Sequence, residues 1–233
     1  METATRARAS AVIVAAGSGS RLGGREPKAF RRLGARSILA RAAAGAASAP
    51  GVVRIVVAVP AGLEARAREE LRDLPVPTEV VAGGPTRQDS VRLGLEALPE
   101  DPPVVVVHDA ARCFAAPQLF VRVIDAVAAG AVGAVPVVEV VDTVKRLGDG
   151  RVLATLERAE LALAQTPQAF DLAALRAAHV RAVAQGRRAS DDAALLEADH
   201  EVLAVPGDPG NVKVTTPWDL VLAERRAREE GGG

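Results

Sequence analysis

The stretch Ala11–Lys28 reads AVIVAAGSGSRLGGREPK, and its reading decides the fold. It opens with a short apolar run, Ala11 to Ala16, of the length and character of a buried strand. The run stops at Gly17. Further glycines follow at Gly19, Gly23 and Gly24, with Arg21 among them and Lys28 at the close. Glycine admits positive φ and close approach of backbone to a ligand. Successive backbone N–H groups in such a loop form a concave anion site. With one guanidinium and one ammonium added, the matching ligand is a polyphosphate; a plain surface loop is the competing reading. Two other glycine loops do not fit. A dinucleotide-binding turn needs Gly or Ala where this chain has Leu22, and an acidic residue about 20 positions on, where the second strand ends Val57-Ala58-Val59-Pro60. A P-loop needs Gly-Lys-Ser/Thr after its spacer, but Arg25-Glu26 follow Gly24.

The 233 residues suffice for one large domain or two small ones, and no internal repeat or linker marks a second domain. With 29 basic and 29 acidic residues the formal net charge is +0, so no nucleic-acid or membrane footprint is expected. Aromatics make up 2% and tyrosine is absent, which argues against base-stacking platforms. The single cysteine, Cys113, excludes an internal disulfide and a cysteine-rich metal site. No apolar run approaches the roughly 20 residues of a membrane span, and a soluble, cytoplasmic protein is expected. Only three of the basic residues are lysine: Lys28, Lys145 and Lys213. Arginine serves wherever a generic positive charge will do, so each lysine marks a place suited to a compact point charge. The only asparagine, Asn211, lies two residues from Lys213.

Outward from the glycine loop, strands alternate with helices. Helices are expected over about Ser37–Ala49, Ala61–Leu71, Arg87–Leu98 and Pro117–Ala129, with Ser37 and Thr86 as caps. Strands are expected at Val52–Val59, Thr78–Ala82, Val104–His108 and Val132–Val138. This rhythm implies a mostly parallel α/β sheet with helices on both faces, and ligands beyond the carboxyl ends of its strands. From Val138 to Arg158 the rhythm changes to two β-like runs around Gly148-Asp149-Gly150, a hairpin turn. A projecting arm of this kind carries Val140, Val141, Val144 and Val152 and needs a cover. Homodimerisation supplies one; folding back on its own domain supplies the other. Two helices near Leu172–Ala184 and Asp191–Glu197, a strand at Glu201–Val205 and a final helix opened by Thr216-Pro217 complete the chain.

Asp109 follows a buried strand in Val-His-Asp-Ala-Ala-Arg, where its carboxylate can bind Mg²⁺ or a substrate hydroxyl, or serve as a turn or cap. Arg112 is placed to pair with it, and His108 to pack as a neutral side chain. Three histidines, His108, His179 and His200, make a histidine metal site improbable. Asn211–Thr215 reads as a short edge strand, and Gly83-Gly84 as a turn or as backbone approaching a nucleobase. The recurring theme is charge suited to phosphate, at Arg21, Lys28 and Lys213, beside an acid able to hold Mg²⁺. That pattern points to phosphoryl or nucleotidyl transfer, which runs on positioning and charge neutralisation.

In this order the motifs resemble those of the 2-C-methyl-D-erythritol 4-phosphate cytidylyltransferases of the non-mevalonate isoprenoid pathway. They are Ala15-Ala16-Gly17-x-Gly19-x-Arg21 with Pro27-Lys28, Gly83-Gly84 with Arg87-x-Asp89-Ser90, and Val107-His108-Asp109-Ala110-Ala111-Arg112. Asp142-Thr143-x-Lys145, Thr166-Pro167-Gln168 and Asn211-Val212-Lys213-Val214-Thr215 follow. The likeness covers about Ser10 to Glu224. It implies a Rossmann-like nucleotidyltransferase fold over residues 1–233, with 138–158 as the arm of a homodimer. It implies a reaction of CTP with 2-C-methyl-D-erythritol 4-phosphate, with Mg²⁺ or another divalent cation, giving the CDP-alcohol and pyrophosphate. Ala15, Ala16, Gly17, Gly19, Arg21 and Ala110 would then hold CTP, and Gly84 with Ser90 would read cytosine. Arg21, Lys28 and Lys213 would act as the catalytic cations. Asp109 and Thr143 would contact the erythritol, and Arg158 with Thr166 its phosphate, across the dimer. The chain departs from the family pattern at Pro85, Cys113, Ala162 and Ser190. Its length is expected to leave no room for the cyclase domain that some relatives carry. Two alternatives remain: a cytidylyltransferase for another polyol phosphate such as ribitol 5-phosphate, and a non-catalytic nucleotide-binding regulator.

Overall fold

Strand β1 (Ala9–Val14) sits between two parallel neighbours, and its side chains alternate between two hydrophobic clusters. Ala11 and Ile13 enter one cluster and Val12 the other, the period-two pattern of a strand buried on both faces. The computed structural model describes residues 7–17, 19, 22, 23 and 26–231. Arg21 and Gly24 of the glycine loop lie outside the described residues.

A 3-10 turn at Lys28–Phe30 and a small ribbon, β2 (Arg32–Leu33) with β3 (Arg36–Ser37), follow the loop. Helix α1 (Ile38–Ala47) then starts at Ser37, whose hydroxyl accepts from the Ala40 amide at 3.1 Å. Next come β4 (Val52–Val59), α2 (Glu64–Leu71), β5 (Thr78–Ala82), α3 (Arg87–Glu96), β6 (Val104–Asp109), α4 (Pro117–Ala128) and β7 (Gly133–Glu139). Helix α3 opens on a capping box between Thr86 and Asp89.

The arm is the ribbon β8 (Lys145–Gly148) and β9 (Arg151–Thr155), separate from the main sheet. Its two central turn residues, Asp149 and Gly150, have φ of 50° and 73°, as a tight hairpin turn requires. Leu147, Val152 and Leu153 on it are exposed. The chain returns through β10 (Ala162–Ala164), β11 (Gln168–Asp171), α5 (Leu172–Ala184), α6 (Ala193–Leu196), β12 (Val202–Pro206) and α7 (Pro217–Gly231).

The eight-stranded sheet has the order β10-β7-β11-β6-β1-β4-β5, with β12 also on β7. The run β6-β1-β4-β5 is parallel, as is β7 with β12; β11 is antiparallel to β6 and β7, and β10 to β7. Helices α1, α2, α4 and α7 bury Ile38, Leu71, Phe120 and Ala223 on one face, and α3, α5 and α6 bury Val91, Leu175 and Leu196 on the other. This is the expected α/β architecture. Among the described residues no helix is long and apolar enough to cross a membrane.

Three elements differ from expectation. Helix α2 begins at Glu64, not Ala61, because Pro60–Leu63 forms a turn closed by the Leu63 amide on the Pro60 carbonyl, with Gly62 at φ +85°. Helix α6 covers only Ala193–Leu196; ahead of it Asp191 accepts from the Ala194 amide at 3.1 Å and from Gln168 Nε2 at 2.8 Å, and Asp192 turns its carboxylate to Arg87 and His179. Asn211–Thr215 is a loop, not an edge strand.

Candidate active site

The carboxyl ends of β1 and β6 lie side by side, with Val14 opposite Asp109 and the Ala110 amide bonded to the Val14 carbonyl at 3.0 Å. Beyond these ends opens a cleft of about 390 Å³ lined by Ala15, Ala16, Gly17, Lys28, Gly84, Ser90, Asp109, Ala110 and Lys213, among others. Nine of the sequence-derived candidates therefore share one cavity.

Close approaches build its walls. Gly19 has φ +64°, and a Cβ there would meet the Lys28 Cβ at 2.6 Å. The loop thus crosses directly over the lysine backbone. Lys28 itself sits at the start of the 3-10 turn, with its Nζ donating to the Val214 carbonyl at 3.2 Å. On the opposite wall, a Cβ on Gly83 would meet the Ala16 Cβ at 2.4 Å, and one on Gly84 the Asp89 Cβ at 2.4 Å. Ser90 is buried; its hydroxyl accepts from the Gly84 amide at 3.1 Å and donates to the Thr86 carbonyl at 2.9 Å. The serine thereby fixes the path of the Gly84 backbone along the cleft.

Among the described residues Asp109 is the one carboxylate lining the cleft. Its Oδ1 accepts from Arg87 Nε at 2.8 Å and its Oδ2 from Lys213 Nζ at 2.6 Å. Burial opposes its charge, yet Arg87 and Lys213 hold its carboxyl well below the usual carboxylate range. Arg112, three residues on, does not pair with Asp109; it donates to the carbonyls of Asn211 at 2.7 Å and Ala164 at 3.2 Å. Arg87 continues inward to Asp192 Oδ2 at 2.7 Å, and Asp192 Oδ1 meets His179 Nε2 at 3.1 Å. Both Asp192 and His179 are buried.

Beneath Asp109, its amide donates to Thr166 Oγ1 at 3.0 Å, and that hydroxyl lies 3.1 Å from His108 Nδ1. Burial pushes His108 down to about 4, so the imidazole is neutral near pH 7. Thr166 is buried and its hydroxyl is taken up by these two partners. Lys213 reaches the cleft because its loop is pinned: buried Asn211 donates Nδ2 to the Thr166 carbonyl at 2.8 Å, and the Val214 amide bonds to the Ala111 carbonyl at 2.8 Å. Thr143 and Arg158 lie elsewhere, exposed at the base of the arm, where Arg158 Nη1 donates to the Val141 carbonyl at 2.7 Å. Neither lines the cleft.

Sequence reasoning gave no role to Arg87 or Asp192. A signal was present: Arg87 is the first residue of a helix, where a cation opposes the helix dipole and calls for compensating anions.

The family model described as "IspD: 2-C-methyl-D-erythritol 4-phosphate cytidylyltransferase" matches residues 9–229. The chain belongs to this family. It is similar to the 2-C-methyl-D-erythritol 4-phosphate cytidylyltransferase of Rhodococcus jostii, 45% identical over 223 residues that cover 95% of each protein. It is also similar to the bifunctional enzyme IspD/IspF of Anaeromyxobacter dehalogenans, 46% identical over 95% of this chain and 56% of that protein. The chain thus spans about half the length of its bifunctional relatives. Among solved structures, 4-diphosphocytidyl-2C-methyl-D-erythritol synthase from Anaerococcus prevotii superposes with TM-score 0.84 at 29% identity, covering 95% of this chain and 99% of that one. The cytidylyltransferase from Thermus thermophilus gives TM-score 0.78 at 36% identity, covering 96% of this chain and 100% of that one.

Proposed function

We propose that this chain transfers CMP from CTP to 2-C-methyl-D-erythritol 4-phosphate, releasing pyrophosphate. The observation that carries the reading is the convergence of Lys28, Lys213 and Asp109 on the backbone of Ala15–Gly17 and Gly84 in one cleft. In the transfer, an oxygen of the substrate phosphate attacks the α-phosphorus of CTP. A new phosphoanhydride bond forms, the α–β bond breaks, and pyrophosphate leaves. A phosphate monoester, with a second pKa of about 6, is already largely dianionic at neutral pH. No general base is required, which agrees with a cleft in which Asp109 accepts from Arg87 and Lys213. The enzyme's work is to hold two polyanions together, and the two lysines supply fixed positive charge for it.

A divalent cation belongs to the same proposal. Among the described residues no three His, Cys, Asp or Glu side chains gather to hold a metal. Mg²⁺ would be carried on the triphosphate oxygens, and Asp109, whose two oxygens accept from Arg87 and Lys213, would add a protein ligand by sharing one of them. When bound, the ion would supply charge neutralisation at the phosphates. We place the reaction in the cytoplasm, since its phosphorylated substrates do not cross membranes unaided. A homodimer is part of the proposal too: a two-stranded ribbon is marginal alone, and this one presents Leu147, Val152 and Leu153 to solvent.

The test is pyrophosphate release from CTP and Mg²⁺ with 2-C-methyl-D-erythritol 4-phosphate, run beside ribitol 5-phosphate. Turnover on the erythritol compound is expected. Preference for ribitol 5-phosphate, or CTP binding without turnover on either, would overturn the assignment.

A further inference from the structure

The cleft wall has a backing that the proposed chemistry leaves unused. Arg87 projects from the start of α3 between two carboxylates, with Nε on Asp109 and Nη1 on Asp192. Arg87 itself lines the cleft, and its third nitrogen, Nη2, is buried with no partner among the described residues. Asp192 is 1% exposed and touches the cleft only through Arg87; behind it stands His179 on α5. The result is a file of alternating groups across the molecule, from His179 through Asp192, Arg87 and Asp109 to Lys213.

We infer that Arg87, clamped from behind by Asp192, is a positioning residue that sets Asp109 and through it the Lys213 ammonium. An ammonium has three donors. With Arg87 on Oδ1, Asp109 presents only Oδ2 to Lys213, and the remaining lysine protons stay available to phosphate. Without Arg87, the carboxylate turns both oxygens to Lys213 and draws it out of line. Without Asp192, nothing fixes the far edge of the guanidinium, which then swings toward incoming phosphate and leaves Asp109. Misplacement by about 1 Å costs on the order of 10²-fold in rate.

The inference rests on the reading of this cleft as the CTP site, and the tests keep the two apart. Wild-type turnover is measured first; its absence overturns the functional reading and this one with it. Given turnover, Arg87→Met and Asp192→Asn are each expected to lower kcat by roughly 10- to 100-fold, with KM for CTP within about threefold of wild type. Arg87→Lys, which keeps a charge but not the fork, is expected between wild type and Arg87→Met. Since Asp192 acts through Arg87, the double variant is expected to match Arg87→Met alone. It also removes both buried charges at once, so it carries the test even where a single variant does not fold. A folded double variant with near-normal kcat, losses that multiply in the double variant, or a loss expressed only in KM would each overturn the inference.

Discussion

Gly19 and Gly23 offer a matched pair. Both have left-handed backbone, φ +64° and +63°, so alanine at either costs about 1–2 kcal/mol of local backbone strain. They differ in what the new methyl meets. Among the described residues nothing lies within 4 Å of a Cβ at Gly23; at Gly19 the Lys28 Cβ stands at 2.6 Å. That gap is roughly 1 Å short of the separation at which two carbons attract, so the lysine backbone or the loop must give way by about that amount. If the Lys28 ammonium is aligned to transition-state charge, Gly19→Ala should lose on the order of 10²-fold in kcat, and Gly23→Ala should keep most of it. Pyrophosphate release at saturating CTP gives kcat, and thermal melts show whether the two variants are equally destabilised. Equal kcat for the two variants at comparable stability would refute the idea that the loop's crossing places Lys28.

Lys28→Ala or Lys213→Ala should each lower kcat by roughly 10²–10³, the loss from removing one preorganised donor, and a folded variant with near-normal kcat excludes that lysine from the transfer. Burial pushes the Cys113 thiol up to about 12. In the unfolded chain it ionises first, so Cys113 favours folding fully below about pH 9 and loses up to roughly 1.4 kcal/mol per pH unit from there toward pH 12. Denaturant titrations of wild type and Cys113→Ala over that range should diverge by this slope; parallel curves would rule it out. On the arm, Val152→Glu with Leu153→Glu should convert the proposed dimer to monomer in light scattering without lowering the Tm of the α/β domain, and an unchanged mass would remove the arm from the interface.

Much of the sheet was readable because its central strands are plain: Val52–Val59 is apolar but for Arg54, Val104–Val107 is apolar throughout, and short β-branched runs of this kind suit strands buried on both faces. The starts of α1 and α3 were readable from Ser37 and Thr86 because capping is a local interaction. Strand β10, at three residues, was not, since it exists only through pairing with β7. The loop at Asn211 misled for the same reason: its conformation is fixed by hydrogen bonds to Thr166 and Gln165, some 45 residues away. At the site, the lysines and glycines were legible as chemical types. The arginine that reaches Asp109 was not, because adjacency favours Arg112, whereas the fold brings Arg87 to it from the start of α3.

The Lys28 ammonium donates to the carbonyl of Val214, next to the lysine that completes the pair. On the ribosome these two halves of the cleft appear at very different times. At about 5–20 residues per second, Lys28 is added roughly 10–40 s before Lys213. During that interval a nascent chain can assemble β1, β4, β5 and β6, yet it lacks the second lysine. On the proposed reaction, synthesis itself therefore keeps the cleft without its second lysine until the segment around Lys213 is made.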